Sequence, residues 1–298
     1  MNSKNNLVII IKRTIILTLL GLCLGTSLQA QDEEVVNAYF TTKEMPDMMH
    51  FLPGPPDSTS AAFLNDVSRY FWGKEMRNNE ERAAEATRDA VYGLETILTE
   101  FEEAFGMKIS KEKTPEIYKV LREGTATCDS ICTIPKATYK RRRPFMVFNE
   151  PTLYPADDEA LRKNGSFPSG HTLLGWSSAL LMTEINPDRA TEILARGYRY
   201  GENRIVVGAH WQSDTDAGRL AASAAYARLH TSERFLEQMK KAREEFQRLK
   251  NKPDAVSETR ESEKAAVVQG PAYTLQGTPA TPSTRGLVIQ NQQIVLRK

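Results

Sequence analysis

Apolar residues recur every three or four positions along most of the chain before Lys250, which is the spacing of amphipathic helices. The pattern predicts helices over 58–76 and 80–106, the second ending at Gly106. Residues 171–185 are apolar on nearly all sides, which indicates a central buried helix. These segments predict a helical core.

Three more segments complete the predicted helices. Residues 186–201 open with Pro187 near the first turn and end at a glycine. Residues 214–230 are rich in alanine and suit close helix packing, and residues 232–250 form an amphipathic last helix. Convincing alternating strands are missing from this region. The predicted fold class is therefore all-α, with one compact helical domain over residues 31–250.

The composition changes beyond Lys250. Residues 251–272 are polar and are predicted to form a flexible linker. Residues 273–298 contain two β-like pieces, "GLVIQ" and "QQIVLRK". This tail resembles the short C-terminal β segments found on many exported bacterial proteins, some of which act as sorting signals. A small appended hairpin and a disordered tail remain alternatives.

The N-terminus has the layout of a secretory signal peptide. Lys4, Lys12 and Arg13 precede an apolar run over 14–25, and a cut after Ala30 would release the mature chain. The apolar run is too short to be a comfortable membrane span. We expect export to the periplasm. Secretion or display on the outer surface through the C-terminal tail is the alternative.

The charge balance argues against certain classes of partner, and the hydropathy argues against a membrane span. The 298-residue chain carries 39 basic and 38 acidic residues, and removal of residues 1–30 leaves 36 basic residues against the same 38. Nothing in that balance indicates a nucleic-acid or polybasic membrane partner. No other segment approaches 18 uninterrupted apolar residues, so no membrane span is expected after signal removal.

Two cysteines, Cys128 and Cys132, survive processing. A pair in an exported protein suggests a disulfide. Their four-residue spacing in a stretch that reads as helical is awkward for disulfide geometry, so two buried thiols are an equal alternative.

Polar residues with catalytic potential concentrate in three segments. The segment "NGSFPSGHT", residues 164–172, stands directly before the predicted central helix, where free N–H groups and the helix dipole can hold an anion. The other two segments carry basic residues and a second histidine at fixed spacing. Together the candidates are Lys136 and Arg143; Ser169, Gly170 and His171; Arg204, His210 and Asp214.

These residue types suit hydrolysis of a phosphate monoester. Fixed cations can grip the dianion, and arginine is the better bidentate partner for phosphate oxygens. One imidazole, His210, could be held by the carboxylate of Asp214 and attack phosphorus, while His171 protonates the leaving alcohol. Three cations can neutralise the phosphate charge without a metal, so no cofactor is expected.

The spacing K-x6-RP, PSGH and R-x5-H-x3-D resembles the signature of the type 2 phosphatidic acid phosphatase superfamily, which also includes the vanadium haloperoxidases. The match is closest to the bacterial class A non-specific acid phosphatases. It extends through "FLPGPP", "SAAFLND", "KNGSFPSGHT", "EINPDRATEILARGY" and "HWQSDTDAGR". The resemblance covers roughly Phe51 to Lys250, which is the whole predicted helical domain.

The resemblance implies a metal-independent, vanadate-inhibited acid phosphatase acting on small phosphate monoesters through a phosphohistidine, with phosphotransfer to alcohols as a side activity. Relatives commonly self-associate, so it also implies a homo-oligomer. It assigns His210 as nucleophile, His171 as general acid, Asp214 as the group that orients His210, and as phosphate ligands Lys136, Arg143, Ser169, Gly170 and Arg204.

Two positions depart from the family pattern. Asn203 stands where the superfamily has serine, and Phe167 stands where class A members commonly have tyrosine. Neither removes a catalytic group, but both could change substrate preference. The remaining histidines, His50 and His230, are interpreted as structural. The basic run 140–142 is predicted to be a solvated face.

Three other functions are compatible with parts of the pattern. A vanadate-dependent haloperoxidase would use the same anion cradle, but such enzymes are usually much longer. A lipid phosphate phosphatase would typically span the membrane several times. A non-enzymatic phosphate-binding protein would leave the pairing of His210 with Asp214 unexplained. The physiological substrate is not predicted.

Overall fold

The computed structural model describes residues 36–251 and, in the C-terminal tail, residues 272–274, 280–281, 286–290 and 293–297. The predicted signal peptide and most of the predicted linker lie outside the described residues. No helix among the residues described is long and apolar enough to cross a membrane.

The described part of the chain is mainly helical, which confirms the predicted fold class. Four short 3₁₀ segments cover Thr42–Glu44, Ser130–Cys132, Pro155–Asp157 and Pro187–Arg189. The α-helices are α1 (Met48–Phe51), α2 (Ala61–Met76), α3 (Glu80–Arg88), α4 (Leu94–Glu100), α5 (Glu102–Phe105), α6 (Pro115–Asp129), α7 (Thr133–Tyr139), α8 (Pro144–Val147), α9 (Asp158–Arg162), α10 (Gly170–Ile185), α11 (Ala190–Val207), α12 (Gln212–Leu229) and α13 (Glu233–Lys250).

Helix α10 is the centre of the domain. It packs against α11, α12 and α6, and α13 also packs against α6. Leu173, Leu181 and Met182 on different sides of α10 are fully buried, as expected for a helix that is apolar all round. The N-terminus of this helix therefore reaches the cavity described below from a rigid, fully packed element.

Two predicted helix boundaries were wrong. The segment 80–106 is three helices, not one, because the chain breaks after α3 and Gly93 adopts a φ of 148°, which only glycine accepts readily. Helix α11 continues through Gly201 rather than ending there. It does so because α10 packs closely at this point, where a Cβ on Gly201 would lie 2.6 Å from Thr172 Cγ2.

The tail contains a three-stranded antiparallel sheet in the order β1-β2-β3, formed by Ala272–Thr274, Gly286–Gln290 and Gln293–Arg297. Ala272 pairs with Gln290, and Gly286 pairs with Arg297. Strands β2 and β3 occupy the two pieces predicted to be β-like. The division into linker and sorting tail remains a prediction.

The two cysteines of the helical domain are free thiols, both buried. Cys132 Sγ donates to the carbonyl oxygen of Asp129 at 3.0 Å. Burial raises the pKa of both thiols, that of Cys132 to about 12, so neither is an activated nucleophile. The structure therefore has two buried thiols at these positions and not a disulfide.

Candidate active site

A cavity of about 850 Å³ opens at the N-terminus of α10. The polypeptide brings segments that are distant in the sequence to its walls. Five of the predicted site residues line it: Lys136, Arg143, Gly170, His171 and His210. The roles of these residues are taken up below as a proposal.

Helix ends position most of the site. Arg143 is the N-cap of α8, and Ser169 is the N-cap of α10. Arg204 lies in the last turn of α11, where Gly208 adopts a left-handed conformation (φ 83°) and reverses the chain. The peptide N–H of His210 then donates to the carbonyl of Arg204 at 3.3 Å. The turn therefore fixes this cation and this imidazole beside each other.

Arg204 is the most unusual cation of the site. Its side chain is fully buried, and none of its three guanidinium nitrogens has a hydrogen-bond partner within the described protein. Burial lowers its pKa to about 10, which leaves it charged at all physiological pH values. A buried, unpaired guanidinium is costly, so this group is expected to bind an anion.

Arg143 differs from Arg204 because backbone oxygens already bind most of its N–H groups. Its Nε donates to the carbonyls of Leu161 and Asn164, and its Nη2 donates to Gly165. Its Nη1 donates to the carbonyl of Ala209 and to Nε2 of His210, the latter at 2.9 Å. Arg143 is thus held rigidly, with few donors left for a ligand.

Lys136 completes the cationic wall. Its Nζ donates to the carbonyl of Gly165 at 3.1 Å. Burial, followed by repulsion from Arg143, lowers the pKa of Lys136 to about 8. Lys136 and Arg143 thus line the cavity, and the buried charge of Arg204, which is not among the lining residues, acts on His171 and His210 from behind its wall.

His210 is buried and has one fixed tautomer. Its Nε2 accepts from Arg143, so its proton is on Nδ1, which faces Oδ2 of Asp214 at 3.4 Å and Oγ of Ser166 at 3.3 Å. Burial and the neighbouring cations lower its pKa well below the ordinary value. The imidazole is therefore neutral, and the lone pair of its unprotonated Nε2 accepts from Arg143.

Asp214 is held from two sides. Its Oδ2 accepts from the N–H of Trp211 at 2.8 Å and from the hydroxyl of Ser166 at 2.5 Å, and its Oδ1 accepts from Arg141. The prediction of a solvated face was wrong for Arg141, because its side chain is 9% exposed and also binds Asp66.

His171 has the opposite hydrogen-bonding arrangement to His210. Its Nε2 donates to the carbonyl of Ala90 at 2.9 Å, which leaves Nδ1 as the nitrogen available for proton exchange. Burial, followed by repulsion from Arg204, lowers its pKa well below the ordinary value. The ring packs edge-on against Tyr92 at 4.8 Å between centroids.

Ser169 can offer an anion only its hydroxyl proton. Its peptide N–H donates to the carbonyl of Asp214 at 3.0 Å, and its Oγ accepts from the N–H and hydroxyl of Thr172. Gly170, the first residue of α10, has a peptide N–H without an intrahelical acceptor. One hydroxyl and one helix N-terminus therefore add to the three cations.

Comparison with known proteins identifies the family. A sequence model of the PAP2 superfamily matches residues 120–235. A non-specific acid phosphatase from Providencia stuartii is 42% identical over 213 residues, or 71% of this chain and 86% of that protein. The chain belongs to the PAP2 superfamily.

Other relatives in this superfamily have similar names. The non-specific acid phosphatase of Salmonella typhimurium is 38% identical over 72% of this chain and 85% of its own length. The acid phosphatase of Zymomonas mobilis is 36% identical over 68% of this chain and 76% of its own length. These relatives confirm the acid phosphatase family predicted from the motifs.

The two positions that depart from the PAP2 pattern are not among the residues that line the cavity. Asn203 Nδ2 donates to Glu85 and Asp89 at 3.0 and 2.7 Å. Phe167 is buried and packs edge-on against Tyr139 at 5.5 Å. Both residues therefore act on the site through packing and hydrogen bonding rather than through contact with a ligand in the cavity.

The two remaining histidines lie outside this PAP2 site. His50 is exposed and pairs with Asp47 at 2.8 Å. His230 caps α12 and binds Glu184 at 3.0 Å. No group of three or more His, Cys, Asp or Glu side chains in the described ranges is placed to hold a metal ion.

Tyr92 and Asp129 also line the cavity, although the sequence pattern did not single them out. The hydroxyl of Tyr92 is hydrogen-bonded to the carboxyl of Asp129, whose pKa is raised by burial. Asp129 ends α6 and Lys136 lies in α7, with a 3₁₀ segment between them, and the seven-residue spacing was the one signal available.

Proposed function

We propose that this PAP2-superfamily acid phosphatase hydrolyses phosphate monoesters without a metal, through a phosphohistidine formed on His210. The observation that carries the proposal is the buried, unpaired guanidinium of Arg204, which lies close enough to His171 and His210 of the cavity to repel their protonated forms and which needs an anionic partner. A tetrahedral phosphate dianion has the charge and the acceptor oxygens to satisfy Arg204, Lys136 and the N-terminus of α10 together.

In the first step, Nε2 of His210 attacks phosphorus and the bond from phosphorus to the leaving oxygen breaks. Nδ1 of His171 gives its proton to that oxygen, so a neutral alcohol departs. For this attack the N–H of Arg143 that binds Nε2 must turn to a phosphate oxygen. The same donor thereby helps to stabilise the charge that develops on the phosphoryl group.

In the second step, water attacks the phosphoryl group and the bond from phosphorus to Nε2 breaks. The neutral Nδ1 of His171 takes the proton of that water, which returns both imidazoles to their starting forms and releases phosphate. An alcohol in place of water would accept the phosphoryl group instead, which is the basis of the proposed phosphotransferase side activity.

Substrate binding has to protonate His171. Repulsion by Arg204 and Arg143 contributes to its low pKa, after burial. A bound dianion cancels that repulsion, so the pKa of His171 rises when phosphate binds. Activity is therefore proposed to favour mildly acidic conditions, where uptake of this proton is least costly.

The proposals on export, location and assembly rest on the sequence and the relatives, not on the geometry of the active site. The layout of residues 1–30 supports export, and the relatives named above come from bacteria. Periplasmic location is the proposal, with secretion or surface display through the tail as the alternative. A homo-oligomer also stays a prediction.

Metal independence can be tested directly. With purified protein and p-nitrophenyl phosphate, hydrolysis is expected to continue unchanged in excess EDTA, because fixed cations supply the charge. Vanadate is expected to inhibit competitively, because it resembles the transition state of phosphoryl transfer. Loss of activity in EDTA, or failure of vanadate to inhibit, would show the mechanism to be wrong.

The low pKa of Lys136 predicts a pH-dependent anion affinity. Lys136 is charged below pH about 8 and loses its proton above it. Sulfate stays a dianion throughout, and its affinity is expected to fall about tenfold between about pH 7 and 9. Isothermal titration calorimetry measures this loss.

Two variants separate Lys136 from other titrating groups. Lys136→Arg should remove the fall in sulfate affinity, because a guanidinium stays charged over this range. Lys119→Arg, a change in an exposed lysine of α6 that does not line the cavity, should keep it. A fall that persists in Lys136→Arg assigns the titration to another group and refutes this prediction.

A further inference from the structure

We propose that Ser166 is a positioning residue for the nucleophile, and that its hydroxyl, together with the carboxylate of Asp214, fixes the proton of His210 on Nδ1. The proposal rests on the function proposed above, because it concerns the same imidazole. Ser166 is fully buried, and its hydroxyl lies between the two partners, 2.5 Å from Oδ2 of Asp214 and 3.3 Å from Nδ1 of His210.

The direction of each hydrogen bond follows from the chemistry of the groups. The carboxylate of Asp214 only accepts, so the short contact means that the hydroxyl of Ser166 donates its one proton to Oδ2. The serine oxygen then has only lone pairs left for His210. A lone pair facing Nδ1 requires the imidazole proton to be on that nitrogen.

The other side of the ring enforces the same tautomer. Nε2 of His210 accepts from Arg143, which can only donate. Ser166 and Arg143 therefore clamp the ring between an acceptor and a donor. The result is an unprotonated Nε2 whose lone pair accepts from Arg143, and this is the form that can attack phosphorus once that hydrogen bond breaks.

Asp214 is not free to replace Ser166. Its Oδ1 is bound by Arg141, and the other end of that guanidinium binds Asp66 at 2.7 Å. Asp66 in turn accepts from the N–H and the hydroxyl of Ser213 at 2.8 and 2.6 Å. This network holds the carboxylate where its own contact with Nδ1 is 3.4 Å. Oγ of Ser166 lies at a similar distance, 3.3 Å, from the same nitrogen and gives the ring a second acceptor beside the carboxylate.

Ser166 is itself positioned by the same network. Its peptide N–H donates to the carbonyl of Arg141 at 2.9 Å. Arg141 thus sets both the carboxylate, through its side chain, and the serine, through its backbone. With the backbone of Ser166 held in this way, rotation of its hydroxyl would break the contacts with Asp214 and His210.

The test compares Ser166→Ala with Ser177→Ala. Ser177 is equally buried in α10, where its hydroxyl donates to the carbonyl of Leu174. We expect Ser166→Ala to lower kcat roughly 10- to 100-fold, as loss of a group that holds an imidazole in one tautomer commonly does. KM should change less than about twofold, because Ser166 is not among the phosphate ligands. Ser177→Ala should keep the kcat of the wild type.

Nitrogen-15 NMR of the imidazoles gives a readout that does not depend on activity. The signals missing in His210→Ala identify His210, which in the wild type should show a protonated Nδ1 and a bare Nε2. In Ser166→Ala a second tautomer, protonated on Nε2, should appear. Ser166→Thr, which keeps the hydroxyl, should restore the single tautomer.

The outcomes separate the two proposals. A single tautomer and an unchanged kcat in Ser166→Ala would overturn the role of Ser166. Full activity in His210→Ala would instead overturn the proposed nucleophile, while the NMR comparison would still test Ser166. If Ser166→Ala does not fold, Ser166→Cys, which keeps the volume but donates weakly, supports or overturns the role of Ser166 by the same two measurements.

Discussion

Replacement of His210 by alanine is expected to lower kcat for p-nitrophenyl phosphate by about 10⁴- to 10⁶-fold, because the group that forms the covalent intermediate is lost. The neighbouring cations Lys136, Arg143 and Arg204 are still present in this variant, so binding of phosphate should change far less than kcat. Rapid quenching of the wild type at alkaline pH, followed by mass spectrometry, should show a phosphorylated His210.

His50→Ala is the matched control, because that imidazole is exposed and contacts only Asp47 among the described side chains. It should hydrolyse p-nitrophenyl phosphate at the wild-type rate. A His210→Ala protein that retained a tenth of the wild-type kcat would contradict the nucleophile assignment. So would a phosphoryl group found on a residue other than His210.

The sequence could single out the candidate site residues because much of their pattern is local. The helix N-terminus at Ser169–His171 and the four-residue step from His210 to Asp214 can both be read along one element. The all-round apolar character of residues 171–185 also identified the central helix. These features depend on neighbours within one or two turns, which is what periodicity and spacing record.

The supporting network could not be predicted in this way. The contact of Arg141 with Asp66 joins α2 to the loop before α8, 75 residues apart. In the sequence, Arg141 stands in a basic run that is typical of a solvated face. Only the fold shows that its side chain is buried and paired with the carboxylates of Asp66 and Asp214. Ser166 could not be singled out from the sequence either, because serine is common in loops that contain glycine and proline, whether or not its side chain has a partner.

The place of Tyr92 in the cavity wall is a second feature that the sequence could not predict. It depends on the break between α3 and α4, which the continuous helical pattern predicted over residues 80–106 does not indicate. A residue far away in the sequence stabilises this break between α3 and α4. Arg196 on α11 binds the carboxylate of Asp89 just after α3. The same break exposes the carbonyl of Ala90, which fixes the tautomer of His171.

Replacement of Arg204 by methionine is expected to have two effects of opposite sign. The value of kcat/KM should fall roughly 10³-fold, because the phosphoryl group loses its bidentate guanidinium. The folded protein should become more stable in phosphate-free buffer, on the order of 1 to 4 kcal/mol, because a buried charge without a partner is removed. Urea unfolding with and without phosphate measures the second effect.

Arg196→Met is the matched control on the same helix. Arg196 is also largely buried, but it is paired with the carboxylates of Asp89 and Glu100. Its removal leaves buried carboxylates uncompensated and should lower stability by about 3 to 5 kcal/mol. Phosphate should raise the melting temperature of the wild type by mass action but not that of Arg204→Met. If Arg204→Met unfolded as easily as Arg196→Met in phosphate-free buffer, the guanidinium of Arg204 would be a structural cation and the anion site would lie elsewhere.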